Sequence, residues 1–317
     1  MNAPDLAPRT AASASTSSFV APTSIPDYLD RLRRALAGAD PALVQDALYD
    51  AEEYLRSEMA ESPGRSEAEV IAAVAGSYGA PDEVAEIYRD TEVTVQTALR
   101  APKPPPRKSI LGRFFGVAAE PRTYAALFYM LLSLATGIFY FTWVVTGASL
   151  SAGLAVLIIG IPFVIVFVGS VRVLSLVEGR LVEVMLGERM PRRPLYSSRG
   201  KPWLERIKDM FTDPRTWGTL LYMLLMMPLG IVYFTVAVTL LGTALSLIAS
   251  PLLLVTGADG YFMINGADLL QPHPWTWPLA MLAGVVLLFV TMHVARGIGH
   301  LHGQLAKHLL VQSAQSD

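Results

Sequence analysis

The sequence contains no cysteine and few charged residues. With no cysteine among its 317 residues, disulfides, thiolate nucleophiles and cysteine-bound metals are excluded. Charged side chains make up 16% of the chain, against about 25% in soluble globular proteins, whereas hydrophobic residues make up 52%. This balance predicts a membrane protein with a modest soluble part.

Recognisable enzyme and targeting motifs are also missing. GADG and NGAD lack the strand and helix context of a phosphate loop, and no HExxH, Walker or Ser/His/Asp set can be identified. Residues 1–25 lack the cationic start and apolar core of a secretory signal. We therefore expect a disordered tail over residues 1–25 and a non-enzymatic protein that needs neither cofactor nor metal.

Residues 26–98 form an acidic segment that predicts four short helices. They contain 16 Asp and Glu against 6 Lys and Arg, and their apolar residues recur at steps of three and four. Asp40 before Pro41, and Ser66 three residues before Glu69, are typical of helix starts. The residues predicted to face inward are Leu29, Leu32, Leu36, Val44, Leu48, Ala51, Leu55, Met59, Val70, Ile71, Val74, Val84, Ile87 and Tyr88.

Three stretches of this segment resemble the HAAS family of small helical signalling domains. They are YLDRLRRAL, DALYDAEEYLRSE and RSEAEVIAAVAGSYGAPDEVAEIY. In that family the module usually lies in the cytoplasm of bacterial membrane proteins, often beside a PadR-type transcription regulator. The resemblance implies a cytoplasmic protein partner, with a PadR-type regulator as the candidate, and no direct binding of nucleic acid.

Three acidic residues on the second helix, Asp46, Asp50 and Glu53, are the candidate docking residues for a basic partner. The alternative is that they form the solvated face of an amphipathic helix. The same chain has two basic segments, one before the first predicted span and one between the second and third. Residues 100–122 hold six basic side chains against Glu120 alone, and residues 171–216 hold ten against six acidic.

The remainder of the chain is a tandem repeat. PRTYAALFYM begins at residue 121 and PRTWGTLLYM at residue 214, and 18 of 39 positions from Lys108 onward are identical at this offset of 93. Both copies enter an apolar run in the same direction, so the repeat is parallel. We expect a Pro-rich linker over residues 99–107, repeats over 108–190 and 201–312, and an all-α fold in which a soluble helical bundle precedes a pseudo-twofold, four-span transmembrane bundle.

Apolar lengths of about 20 residues predict spans at 124–147, 152–172, 217–239 and 277–296. Residues 243–255 are too short for a span and leave a re-entrant or an interfacial segment as alternatives. Lys and Arg are absent from residues 256–276, whereas residues 173–216 contain nine, which places both termini in the cytoplasm. The basic amphipathic stretches KSILGRFFGV and KPWLERIKDMF predict contact with membrane lipids.

The repeated motif, LGIVYFTVAVT and its partner TGIFYFTWVVT, resembles the sensor domain of bacterial membrane proteins, which in relatives precedes histidine kinases or other output modules. The resemblance implies an inner-membrane sensor or signalling adaptor that acts through the N-terminal helical domain. A small transporter or transporter subunit, which would need to form a homodimer, and a membrane scaffold or assembly factor stay open as alternatives.

Two sets of membrane residues are candidate functional sites. Equivalent tyrosines and glycines of the two repeats are expected either to face a ligand or lipid cleft, or to let helices approach and hydrogen-bond. A second set on one face of the last span is the candidate pH-responsive group, because ionisable side chains inside a membrane are commonly functional. The first set is Tyr129, Gly137, Tyr140, Tyr222, Gly230 and Tyr233, and the second is His293, Arg296 and His300.

Overall fold

The computed structural model describes residues 21–99, 109–154, 160–191, 208, 212, 214–256, 263–264, 267–268 and 276–311. Within these residues a small helical domain precedes a bundle of long helices, so the predicted all-α class is confirmed. Residues 1–20, most of the Pro-rich linker and almost all of KPWLERIKDMF lie outside the described residues.

The N-terminal domain consists of four helices, α1 (Ile25–Ala35), α2 (Pro41–Glu61), α3 (Glu67–Ser77) and α4 (Pro81–Leu99). The predicted helix starts are present. The Asp40 carboxylate accepts a hydrogen bond from the Ala42 N–H at 2.9 Å. Ser66 and Glu69 form a capping box, in which each side chain accepts from the backbone N–H of the other. These local bonds satisfy amides that a helix leaves free in its first turn.

The core of this domain contains the predicted inward residues with one exception. Ile87 is 58% exposed, and the prediction for it was wrong, because Val84, Ala85 and Tyr88 form the inner face of α4. Tyr28, which was not predicted, is fully buried and donates a hydrogen bond to the Gly79 carbonyl at 2.8 Å. Burial raises the pKa of Tyr28 above its ordinary value, so it stays a neutral donor that ties α1 to the turn before α4.

The second part begins with a short helix, α5 (Ile110–Phe115), and a 3-10 turn (Gly116–Ala119), and continues with α6 (Pro121–Leu154), α7 (Gly160–Leu186), α8 (Pro214–Thr256) and α9 (Thr276–Leu310). Between α8 and α9, Met263–Ile264 pairs antiparallel with Ala267–Asp268. Helices α6 to α9 are long and apolar enough to cross a membrane, which makes the chain a multi-pass membrane protein.

The bundle is arranged as the repeat predicts. Helices α6 and α8, which begin the two repeats, pack along each other, while α7 packs mainly on α6 and α9 mainly on α8. The starts of α6 and α8 lie at the same end as the last turns of α7 and α9. We call this the domain-facing end, because the N-terminal domain contacts it.

Two predicted spans differ from the helices. Helix α8 continues through residues 243–255, so this segment extends the third long helix and is not a re-entrant loop. Pro251 cannot donate to the Leu247 carbonyl, but the Ser250 hydroxyl does so at 2.7 Å, which is how a membrane helix tolerates a proline. The second span is also displaced: residues 152–154 belong to α6, and α7 extends to Leu186 rather than residue 172.

A buried polar cluster as the candidate functional site

The four candidate tyrosines converge inside the bundle. Tyr129 and Tyr140 come from α6, and Tyr222 and Tyr233 come from α8. Their hydroxyls meet one carboxylate from α7 and one imidazole from α9, both fully buried. We call this group the polar cluster; its members are Tyr129, Tyr140, Glu178, Tyr222, Tyr233 and His302.

Glu178 is the acceptor at the centre of the cluster. Its Oε1 accepts from the hydroxyls of Tyr129 at 2.6 Å and Tyr222 at 2.9 Å, and its Oε2 accepts from Tyr140 at 3.0 Å. A buried carboxylate needs such donors, since an unpaired one is strongly disfavoured away from water. The three bonds tie α6 and α8 to α7.

His302 lies on the other side of the same hydroxyls. Its Nε2 is 2.6 Å from the Tyr129 oxygen and 2.9 Å from the Tyr222 oxygen, and its Nδ1 is 3.3 Å from the Tyr233 oxygen. Which atom donates in these three contacts depends on the tautomer of the ring. Tyr129 and Tyr222 therefore bridge an acid and a base, and all four helices take part.

The cluster lies on the pseudo-twofold axis. Tyr129 and Tyr222 are equivalent at the offset of 93, as are Tyr140 and Tyr233. Glu178 and His302 are 124 positions apart, which is the offset between the second helices of the two repeats. The duplication has therefore placed an acid on one side of the axis and a base on the other.

The two candidate glycines lie where α6 and α8 cross. A Cβ atom on Gly137 would be 2.4 Å from the carbonyl oxygen of Met226, and one on Gly230 would be 2.3 Å from that of Ser133. Ser133 and Met226 are themselves equivalent positions, so the two contacts are related by the pseudo-twofold axis. Without side chains at these glycines, the two backbones approach closely enough for the tyrosines to share partners.

The second candidate set lies apart from the cluster. His293, Arg296 and His300 are exposed along one face of α9. Each contacts a different partner. His293 Nε2 lies 3.1 Å from the carbonyl oxygen of Phe114. Arg296 forms an ion pair with Glu120 at 2.7 Å, and His300 Nδ1 lies 3.5 Å from the Glu188 carboxylate.

The sequence reasoning missed Glu178 and His302. The signal was present in the second repeat match, which aligns RVLSLVEGRLVEVML with RGIGHLHGQLAKHLL and thereby places Glu178 on His302. Two ionisable residues at equivalent positions of membrane helices are a functional signal. His302 also follows His300 by two residues, which turns it about 200° around the helix and away from the exposed face.

One of the three acidic candidates of the N-terminal domain, Asp46, pairs with a basic residue of the bundle. Asp46 is buried and lies 3.5 Å from Arg189, which also pairs with Glu92. Lys307, near the end of α9, lies 2.5 Å from Asp40. We call these five residues the domain interface. Of the other two candidates, Asp50 accepts a hydrogen bond from Tyr88 at 2.8 Å, and Glu53 is half-buried.

A helical domain docked on four apolar helices that enclose a polar cluster defines a multi-pass membrane protein with an attached soluble domain. Residues 129–310 match the model of the family described as "Putative sensor", and residues 27–87 match the HAAS model. The first match covers more than half of the chain, so the chain belongs to that sensor family. No curated protein and no solved structure matches this chain. Both resemblances are confirmed, and they support a membrane sensor or signalling role.

Proposed function

We propose that this protein is a non-enzymatic sensor of the bacterial cytoplasmic membrane, in which the bundle controls whether the N-terminal domain is held at the domain interface or released to a cytoplasmic protein partner. The observation that carries the proposal is the pairing of Arg189 and Lys307 with Asp46, Glu92 and Asp40. Arg189 follows α7, which contributes Glu178, and Lys307 lies in the last turn of α9, which contributes His302.

The geometry supports coupling between the polar cluster and the domain interface. Glu178 is eight residues before the end of α7, or about 12 Å at 1.5 Å per residue, and His302 is five residues before Lys307, or about 8 Å. A helix transmits a shift or rotation along its axis with little loss. A change in how the cluster packs therefore displaces the basic residues that hold the domain.

Charge determines the kind of partner. The N-terminal domain is acidic, and Asp46 and Arg189 have side chains only 8% and 13% exposed, so this pair is shielded from solvent in a way that surface pairs are not. A partner that carries Arg or Lys would compete with Arg189 and Lys307 for the same carboxylates. The PadR-type regulator implied by the HAAS resemblance is the candidate for this partner.

The ion pair between Lys307 and Asp40 offers the direct test. Lys307→Asp places like charges opposite each other, which costs about 1–2 kcal/mol and makes release of the domain roughly tenfold more frequent. We expect faster amide hydrogen exchange in α2 of the full chain in lipid nanodiscs. Adding Asp40→Asn removes the like-charge repulsion while keeping an oxygen that caps α2, so it should slow the exchange part of the way.

A matched control is the exchange of charges between Arg56 and Glu52, an ion pair at 2.8 Å in which both residues belong to α2. This double variant should leave the exchange rate unchanged. Coupling through the interface is ruled out if Lys307→Asp behaves like this control. A scaffold without signalling would respond to Lys307→Asp but not to changes in the polar cluster, which separates that alternative from a sensor.

The proposed orientation has both termini in the cytoplasm. It is supported by the Lys and Arg of the sequence after α7 and by Arg189, which lies at the domain-facing end. Because the chain has no native cysteine, Glu61→Cys is expected to react with an impermeant maleimide only after the cells are opened. Gly260→Cys, in the segment between α8 and α9, should react in intact cells. The reverse labelling pattern would contradict the orientation.

A further inference from the structure

We propose that Glu178 and His302 form a buried proton-binding site, in which one proton taken from water is shared by the pair through the hydroxyls of Tyr129 and Tyr222. The starting observation is that each of these two hydroxyls lies within hydrogen-bond distance of both Glu178 Oε1 and His302 Nε2, at 2.6 to 2.9 Å. Four contacts thus form a closed ring that joins one acid and one base.

The number of protons on these side chains determines which atom donates in each contact. A tyrosine hydroxyl has one proton to donate, an ionised carboxylate has none, and a neutral imidazole has one on either nitrogen. With Glu178 ionised and His302 neutral, both tyrosines donate to Glu178 and accept from the Nε2 proton of His302. Tyr233 then donates to Nδ1, and every buried polar group of the cluster has a partner.

One additional proton fits while Glu178 and His302 keep their partners, and only the part-buried Tyr233 hydroxyl must turn its own proton away from Nδ1. The added proton can reside on Nδ1 of His302, which then donates to the Tyr233 oxygen. It can equally reside on Oε1 of Glu178, which then donates to the oxygen of one of the two tyrosines. That tyrosine donates to His302 Nε2, and His302 carries its own proton on Nδ1. The same side chains satisfy either arrangement with reversed donor directions. The proton therefore belongs to the pair rather than to one residue.

Charge favours occupation of this site. Without the added proton the cluster carries one net negative charge inside the bundle, where a net charge is costly, and with it the cluster is neutral. The titratable groups that face the pair come from every packed helix. They are Tyr129 and Tyr140 on α6, Glu178 on α7, Tyr222 and Tyr233 on α8, and His302 on α9.

The pair lies at the same depth in the two helices, close to the domain-facing end. Glu178 and His302 are each eight residues from the end of their helix at the domain-facing end, about 12 Å along the axis. Glu178 and His302 occupy equivalent positions of the two repeats, at the offset of 124, so they meet at one place near the axis. Two acids or two bases there would repel each other when charged, whereas an acid and a base can share a proton. Proton binding here does not depend on how the N-terminal domain responds.

Difference infrared spectroscopy of the full chain in lipid nanodiscs, between about pH 5 and about pH 8, tests the site. We expect a titrating band of a protonated carboxyl or imidazolium group that shifts in deuterated water. Glu178→Gln should remove it, because the cluster is then neutral without the added proton. Glutamine keeps a carbonyl oxygen for the tyrosines, so this variant is expected to fold.

A second variant leaves both Glu178 and His302 in place. Tyr140→Phe removes one of the three donors to Glu178, so the infrared band that Glu178→Gln removes should shift in frequency. Tyr124→Phe is the matched control in the same helix, since Tyr124 bonds the Ala118 carbonyl outside the cluster, and it should leave the frequency of that band unchanged. The proposal is overturned if the wild-type protein shows no band that Glu178→Gln removes, or if this band has the same frequency in Tyr140→Phe as in the control.

Discussion

Replacing Gly137 or Gly230 with leucine is expected to force α6 and α8 apart and to lower the stability of the whole bundle. Even a single Cβ atom would lie 2.3 to 2.4 Å from a backbone carbonyl oxygen of the facing helix, and a backbone cannot rotate away as a side chain can. Overpacking typically costs about 1–3 kcal/mol, and we expect each variant to reach at least the upper end of this range. The polar cluster should come apart as well, because its tyrosines belong to the same two helices.

Thermal unfolding in one detergent, followed by intrinsic fluorescence, measures this effect. Gly153 on α6 and Gly242 on α8 are the matched controls, because a Cβ atom at either would meet no other atom within 4 Å. Gly153→Leu and Gly242→Leu should unfold close to the wild-type temperature. If Gly137→Leu unfolded at the same temperature as these controls, the close crossing of α6 and α8 would be refuted.

Replacing Glu178 with leucine is expected to be the most destabilising change in the polar cluster. Three tyrosine hydroxyls lose their acceptor at once, and each buried polar group without a partner costs about 1–3 kcal/mol. His302 can still accept from Tyr129 or Tyr222, so the total should fall below three times that amount. We expect a lower unfolding temperature and faster exchange in α2, since the end of α7 leads to Arg189.

Removing a hydroxyl together with the carboxylate provides an internal check. When both partners of a buried hydrogen bond become apolar, the cost is small, so Glu178→Leu combined with Tyr140→Phe should recover part of the lost stability, whereas Tyr129 and Tyr222 can turn to His302. Glu183→Gln on the same helix alters an ion pair with Arg180 at the bundle surface and should cost at most about 1 kcal/mol. Equal destabilisation by Glu178→Leu and Glu183→Gln would contradict a central role for Glu178.

The N-terminal domain was predictable because its helices depend on local interactions. Asp40 caps an amide two residues away, and Ser66 and Glu69 cap each other across three residues, so a single window of sequence contains the whole interaction. Ile87 shows the limit of this reasoning. Its spacing fits an inner face, but the neighbouring helices contact the side of α4 that carries Ala85, and spacing alone does not define where they lie.

The membrane part was predictable to a different degree. Apolar length and the PRT repeat identify four spans and their parallel relation, since both follow from composition along the chain. The continuation of α8 through Pro251 was not predicted, because it depends on a serine hydroxyl that replaces the missing backbone donor. The tyrosines and glycines of the site followed from the repeat, whereas Glu178 and His302 did not.

The sequence by itself determined the helical class, the acidic domain, the duplicated membrane helices and the relation to two signalling families. Each of these depends on composition, on contacts within a few residues, or on the similarity of one segment to another. The tertiary structure alone decided which ionisable residues meet. Tyr129 finds its acid 49 positions away and its base 173 positions away. Contacts at such separations are set by the packing of α6 against α8 at Gly137 and Gly230, where two backbones approach because no side chain keeps them apart.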